Sequence, residues 1–481
     1  MMMKSPFRAF LPFVVGIAAG SCALNPATGN NELMLVSEAQ EIEMGRQGDA
    51  AVVQSIGLYA DPAWQSYIQR FGARLAATSE RPNLPWTFRV VDDPAINAFA
   101  IPGGFIYVTR GLLAHLTSEA QLASVVGHEI GHVTARHTAA AMSKEQLIGL
   151  GLAVGSLANK QIAKYAGTAS QALGLLFLKF SRDNETQADQ LGLRYMARGG
   201  YDPREMAGVF VMLERESDAA GNPGRLPTWM ATHPSPANRI TAINRQVAAL
   251  PQDFAGTSVN RDSYERLLDG IVFGINPRQG FFNGSQFFHP DLRFQIAFPS
   301  GWALNNGAQA VIGVSPAKDA AIELAQAAEP SADAATRAFL ALDGITSGSS
   351  ARVTLSGGLA AITTPFAAAA EGGTVRGTVL FVEYGGAVYG IVAYAPEARW
   401  STYQAVAEGA ERSFRPLTDP AALSVQPRHM DIVTLVRMST IGQMALERSS
   451  PISAATLAII NQVEVQTPFA SGRLVKWVIG L

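Results

Sequence analysis

The chain is 481 residues long, 48% hydrophobic and 16% charged, which is too long for one small domain and gives enough apolar material for two or three cores. A formal net charge of −2 offers no excess to draw the protein to nucleic acid or to an anionic surface, and no glycine loop able to cradle phosphates is present. Nucleic acid is therefore not expected as a partner.

At the amino terminus Lys4 and Arg8 are followed by an apolar run from Ala9 to Ala19 and then Gly20-Ser21-Cys22, the order of an export signal over residues 1–21. The run is too short to span a bilayer as a mature helix. Cys22 is the single cysteine, so no internal disulfide can form. Ala19-Gly20-Ser21-Cys22 resembles a bacterial lipobox, with Ala19 where Leu is more usual. The resemblance implies a mature protein that starts at a lipidated Cys22 and is held by a lipid anchor. Ala23, where inner-membrane retention usually shows Asp, points to the outer membrane, with the chain in the periplasm.

Asn25 to Asn31 is rich in Pro, Gly and Asn and reads as a tether. Helical pattern follows from Ser37 to Arg46 and from Pro62 to Leu75, the second with Asp61 as N-cap and Trp64, Tyr67, Ile68, Phe71 and Leu75 on one face. Trp86–Val91, Asn97–Ile101 and Phe105–Thr109 read as strands, with Pro102-Gly103-Gly104 as a turn. Asn97, Ala98, Phe99 and Ala100 would form an edge able to hold an extended peptide by main-chain hydrogen bonds.

The next helix starts near Ser118, whose spacing to Gln121 is that of a capping box, and carries His128-Glu129-Ile130-Gly131-His132. At 3.6 residues per turn His128 and His132 share a face, so two imidazoles can reach one ion, and Glu129 lies beside them. A carboxylate there can take a proton from an activated water and pass it to a leaving amine, the requirement of peptide hydrolysis. Ala135 and Thr138 occupy the positions where a metzincin has Gly and His, which excludes that class. Residues 147–158 and 166–180 are apolar but interrupted, and read as a core helical hairpin.

The helix from Ser181 to Arg198 brings Glu185 and Asp189 one turn apart. Packed against the motif helix, Glu185 would be a third protein ligand, and Asp189 would accept the free N–H of a ligating histidine, a gluzincin arrangement. Helical pattern recurs over Met206–Arg215, Ser235–Leu250 and Arg261–Leu268. Beyond Asn276-Pro277-Arg278-Gln279-Gly280 strands predominate, at Phe294–Phe298, Ala321–Leu324, Val375–Glu383 and Val388–Tyr394, with helices at Ala334–Leu342, Thr402–Phe414 and Ala454–Asn461. The expected class is α+β: a mainly helical protease domain with a small sheet (22–280), an α+β domain of antiparallel strands (281–418) and a small module (419–481).

His128–His132, Glu185–Asp189 after Ser181-Arg182, Asn97–Ala100 before Pro102-Gly103-Gly104, and Thr232-His233-Pro234 followed by Arg239-Ile240 together resemble the peptidase family that contains HtpX and the CAAX prenyl proteases, nearest its periplasmic BepA-like branch. The likeness covers roughly Cys22 to Gly280. It implies a zinc-dependent endopeptidase with one Zn2+ per chain, ligated by His128, His132 and Glu185, with Glu129 as base. It also implies a substrate cleft along Asn97–Ala100 and an active-site role for His233, while Arg239 is a candidate to orient Glu185 or Asp189. His115, His137, His289 and His429 are read as structural; His137 is five residues past His132, about 500° around the axis and off the metal face.

Phe288-His289-Pro290 and Phe298-Pro299-Ser300-Gly301-Trp302 are similar to a PsbP-type fold, and Leu457–Asn461 with Gly472-Arg473-Leu474 resembles a degenerate LysM module, in which Met438-Ser439-Thr440 stands where such modules carry Gly-Asp-Thr. Expected partners are protein or peptide substrates of the envelope, with peptidoglycan and the outer-membrane assembly machinery as further candidates. The expected role is hydrolysis of misfolded or unassembled envelope proteins. An assembly factor with a normally shut protease stands as the alternative, and a cell-wall hydrolase as a third reading.

Overall fold

The computed structural model describes residues 22–143, 180–219, 229, 233, 239–250, 254–370 and 373–480. The expected signal over 1–21 and the hairpin expected over 147–180, except Phe180, lie outside them. Among the described residues no helix is long and apolar enough to cross a membrane.

Local chemistry sets most helix starts. Asp61 accepts from the N–H groups of Ala63 and Trp64, opening the helix Pro62–Ala76 with proline in its first turn. Ser37 forms a reciprocal capping box with Gln40 and starts Glu38–Ser55, which runs well beyond the stretch expected from the sequence. Ser118 caps the motif helix Glu119–Thr134 through the Gln121 N–H. The expected box is only half made, because the Gln121 side chain accepts from Thr117 N instead, at 2.8 Å.

The residues expected to be a tether are folded against the end of the motif helix. Cys22–Leu24 pairs antiparallel with Asn31–Leu33, and Asn25, fully buried, donates to Ala135 O at the end of the motif helix at 3.1 Å. A buried asparagine needs partners for its amide, and the last carbonyls of a helix need donors, so each satisfies the other.

A three-stranded sheet lies between the helix Pro62–Ala76 and the motif helix. Thr87–Val91 runs parallel to Phe105–Thr109, which pairs antiparallel with Ala98–Ile101, so Ala98–Ile101 lies at an edge. Gly103 and Gly104 make the intervening turn at φ 83° and 97°, a region that glycine enters without steric cost. The motif helix packs on this edge strand and, on its other side, on the helix Arg182–Arg198. The two helices meet where side chains are small. A Cβ on Gly192 would lie 3.0 Å from His128 N, and one on Gly131 would lie 3.1 Å from Ala188 O. This near-contact of backbones brings Glu185 within reach of both motif histidines.

Residues 281–418 build an eight-stranded antiparallel sheet and a four-stranded one. Their core contains Phe294, Ile322, Leu380, Ile391 and Phe414. Leu359–Ala370, the longest of several strands not anticipated, pairs with Gly373–Tyr384 from Ala361↔Val382 onwards. Its alanine-rich sequence has no alternation to read, and it is specified by its neighbours.

In this region Glu411 is only 2% exposed. Burial raises its carboxyl from 4.5 to about 7, against the bond it accepts from Thr378 Oγ1. A folded-state pKa above the unfolded value means that the stabilisation is complete below about pH 4.5 and is lost as pH rises through about 7. The shift corresponds to roughly 3 kcal/mol. Glu411→Gln should therefore be more stable than the wild type in denaturant melts above neutrality, with the gap closing towards pH 4.

The carboxy-terminal segment returns to the core around the motif helix. Arg428 and His429 pair with Phe273 and Val272, and Met430, Leu457 and Trp477 belong to the same buried cluster as Phe71, Val126 and Ile130. The Lys476 ammonium donates to Ala114 O and Leu116 O at 3.0 and 2.8 Å. The side-chain amides of Gln462 and Gln121 exchange hydrogen bonds at 2.7 and 2.9 Å. Residues 419–481 thus share a core with the helices that carry the site, and they brace the start of the motif helix.

Candidate metal and active site

His128, His132, Glu185 and His233 each offer a ligand atom, all within 4.8 Å of one another and all buried. His128 Nε2 lies 3.0 Å from His132 Nε2 and 3.5 Å from Glu185 Oε2. His132 Nε2 lies 3.5 Å from Glu185 Oε1, and His233 Nδ1 lies 3.0 Å from the same oxygen.

The donor set fits a zinc ion. His128 donates its Nδ1–H to Asp189 Oδ1 at 2.9 Å, which leaves a bare lone pair on Nε2 facing other acceptors. Glu185 Oε2 is buried without a hydrogen-bond partner. Acceptors crowded together in a dry interior call for a cation, and an imidazole and carboxylate set is the chemistry zinc takes.

Arg239 grips Asp189 with both prongs, Nε to Oδ2 at 2.9 Å and Nη2 to Oδ1 at 2.7 Å, and approaches Glu185 Oε2 at 3.4 Å. Its guanidinium lies 4.3 Å from the Phe210 ring centre and 5.3 Å from that of Trp229. Burial alone would raise the Asp189 carboxyl; the Arg239 charge and the His128 bond outweigh it and hold the group below its ordinary value. Glu185 is likewise lowered, against its burial, by the His233 bond and the neighbouring positive charges. Burial pulls His233 down, yet Glu129 and Glu185 raise it above the ordinary imidazole value. His132 falls well below that value through burial and the nearby imidazoles.

Glu129 stands beside the four donors rather than among them. Its Oε1 accepts from Trp229 Nε1 at 3.3 Å and lies 3.6 Å from His233 Nε2. Along the edge strand Ala98 and Phe99 turn into the core, with Phe99 stacked on Tyr107 at 4.8 Å. What the strand can offer a peptide is therefore its main chain and the half-buried Asn97 and Ala100. Cys22 lies in the short amino-terminal ribbon.

Two of the histidines read as structural lie in different surroundings. His115 bonds Gly111 O and pairs with Glu216, away from the cluster. His137 is outside the donor cluster, as expected, but it is not remote from the site. The motif helix ends at Thr134, and Arg136 takes a left-handed φ of 59°. This reverses the chain and brings His137 Nδ1 within 2.9 Å of His132 Nδ1. Helical extrapolation failed because the helix had stopped, and positive φ at an arginine leaves no sequence signal. Burial holds His137 down to about 4. Trp229, and Phe180 whose ring lies 4.1 Å from that of His132, were also missed; single aromatics outside any periodic pattern give no warning of a site.

Known proteins are similar to part of the chain. The beta-barrel assembly-enhancing protease of Escherichia coli is 34% identical over 237 residues, 47% of this chain and 48% of that protein. The mitochondrial metalloendopeptidase OMA1 of Arabidopsis thaliana is 38% identical over 165 residues, 34% of this chain and 32% of that protein. The chain thus spans about half the length of the first of these relatives, and less of the second. Among solved structures, cyanobacterial PsbP from Synechocystis aligns with 28% of this chain and 95% of its own at 13% identity, and its TM-score of 0.24 assigns no fold. Residues 62–247, which hold the motif helix, all four donors, Asp189 and Arg239, match the model of Peptidase family M48.

Proposed function

We propose that the protein is a zinc-dependent endopeptidase of the bacterial cell envelope that cleaves misfolded or unassembled envelope proteins. The observation that carries this is the buried cluster of His128, His132, Glu185 and His233 with Glu129 at its margin, inside an M48 domain. The likeness to a beta-barrel assembly-enhancing protease supports the quality-control role and makes the outer-membrane assembly machinery the natural setting.

When bound, zinc supplies Lewis acidity, polarising the scissile carbonyl and bringing the attacking water's pKa to about 7. The edge strand Ala98–Ile101 holds the peptide extended by main-chain bonds. Glu129 takes the water's proton and delivers it to the leaving amine, while Trp229 keeps the carboxylate oriented. Asp189 fixes the tautomer of His128, and Arg239 holds Asp189. His233, freed from Glu185, donates to the developing oxyanion.

The alternative reading, an assembly factor whose protease is normally shut, is favoured by the burial of the site. His128 and Glu129 are each 1% exposed and His233 2%, so His233 must withdraw before a peptide enters. A complementation assay separates the two. Under the first reading Glu129→Gln fails to restore envelope function, whereas full restoration would make binding the main activity. The same protein traps substrates for identification by mass spectrometry.

The export signal and lipidation of Cys22 belong to this proposal. Asn25, three residues on, bonds the end of the motif helix. An acyl anchor at Cys22 would hold that end within about 10 Å of the lipid. Cys22→Ser should move the protein from the outer-membrane fraction to the soluble periplasm. Glycan binding by residues 419–481 is part of the same reading, through the LysM-like resemblance.

A further inference from the structure

Both motif histidines have Nδ1 engaged by way of the helix Arg182–Arg198, but by different routes. His128 reaches Asp189 directly at 2.9 Å. His132 reaches His137 at 2.9 Å, and His137 Nε2 reaches Gln187 Oε1 at 2.7 Å. We propose that His137 and Gln187 are positioning residues, forming a relay that fixes His132 in the tautomer able to bind the metal.

The argument is one of donors and acceptors. A bond between two Nδ1 atoms needs one N–H and one lone pair. An amide oxygen can only accept, so Gln187 Oε1 places the proton of a neutral His137 on Nε2 and leaves Nδ1 as an acceptor. His132 must then supply Nδ1–H, and its Nε2 lone pair points into the cluster at His128 and Glu185. If the amide turned the other way, its NH2 group would donate to His137 Nε2. Both assignments would invert, and His132 would carry a proton on the atom that must ligate. One amide orientation thus selects between a metal-binding and a metal-refusing pair of imidazoles.

The backbone is built to deliver His137 to this place. Arg136, at its left-handed φ, is held by Glu41 Oε1 at 2.5 Å and by Val36 O at 2.7 Å. The His137 ring meets that of His132 edge-on, with centroids 4.9 Å apart and planes at 76°. His137 is 2% exposed, while Gln187 is half-buried and can be changed at little risk to folding.

This inference rests on the zinc reading of the cluster. Its test is zinc affinity of the full chain by chelator competition. Removing such an outer partner typically costs about 10- to 100-fold in metal affinity, and His137→Phe, which keeps an aromatic ring but no acceptor, should show a loss in that range. His137→Gln, whose amide oxygen can accept from Nδ1–H, should recover most of it. Gln187→Glu, an acceptor only, should bind at least as tightly as the wild type, and Gln187→Lys, a donor only, more weakly. The same two charges placed at exposed Thr186 measure the bare electrostatic effect to be subtracted. Wild-type affinity in His137→Phe, or no difference between Gln187→Glu and Gln187→Lys beyond the Thr186 controls, overturns the relay while leaving the metal site standing. If the wild type takes up no zinc, both fall.

Discussion

Glu129→Gln is expected to bind zinc as tightly as the wild type and to cleave protein about 100- to 10,000-fold more slowly, the usual contribution of a positioned proton carrier. Metal affinity should not move, because Glu129 is not one of the four clustered donors. The amide keeps the shape of the side chain and an oxygen that can still accept from Trp229 Nε1, now 3.3 Å away. It cannot take a proton from water. Metal content and peptide cleavage measured on the same preparation check both halves, and cleavage at the wild-type rate would remove Glu129 from the mechanism.

The second large effect is expected at Arg239. Its guanidinium is 3% exposed and serves Asp189 through two bonds and Glu185 through a third approach. Breaking a buried ion pair by removing one partner leaves an uncompensated charge and costs about 3–5 kcal/mol. Arg239→Met should lose stability in that range in urea melts and should also lose zinc, since Asp189 no longer holds His128. Adding Asp189→Asn should return part of the stability, because the stranded charge is gone, without returning the metal affinity. Unchanged stability in Arg239→Met would show that the carboxylates are neutralised by some other means.

Much of the site was legible because its chemistry follows local periodicity. His128, Glu129 and His132 share a helix face by spacing alone, and Glu185 and Asp189 lie one turn apart on the next polar helix. The caps at Asp61 and Ser118 and the turn at Gly103-Gly104 marked the elements that hold them. What sequence could not show is where the chain leaves its periodicity or comes back from far away. His137 reaches His132 only because Arg136 reverses the backbone. Trp229 and Phe180 come to the metal cluster from positions without pattern. The meeting of Gly192 with His128, and the return of Trp477 and Lys476 to the core beneath the motif helix, are tertiary facts. The strand Leu359–Ala370 is drawn into a sheet by the partner it pairs with, Gly373–Tyr384.

The measurement closest to the centre of this account is metal stoichiometry of the purified full chain, wild type against Glu185→Ala. Glu185 comes from outside the motif helix, and its Oε2 is a buried carboxylate oxygen without a hydrogen-bond partner. One zinc per wild-type chain and little or none in Glu185→Ala is the predicted result. Full zinc in Glu185→Ala, or a wild-type protein that takes up no metal, would contradict it.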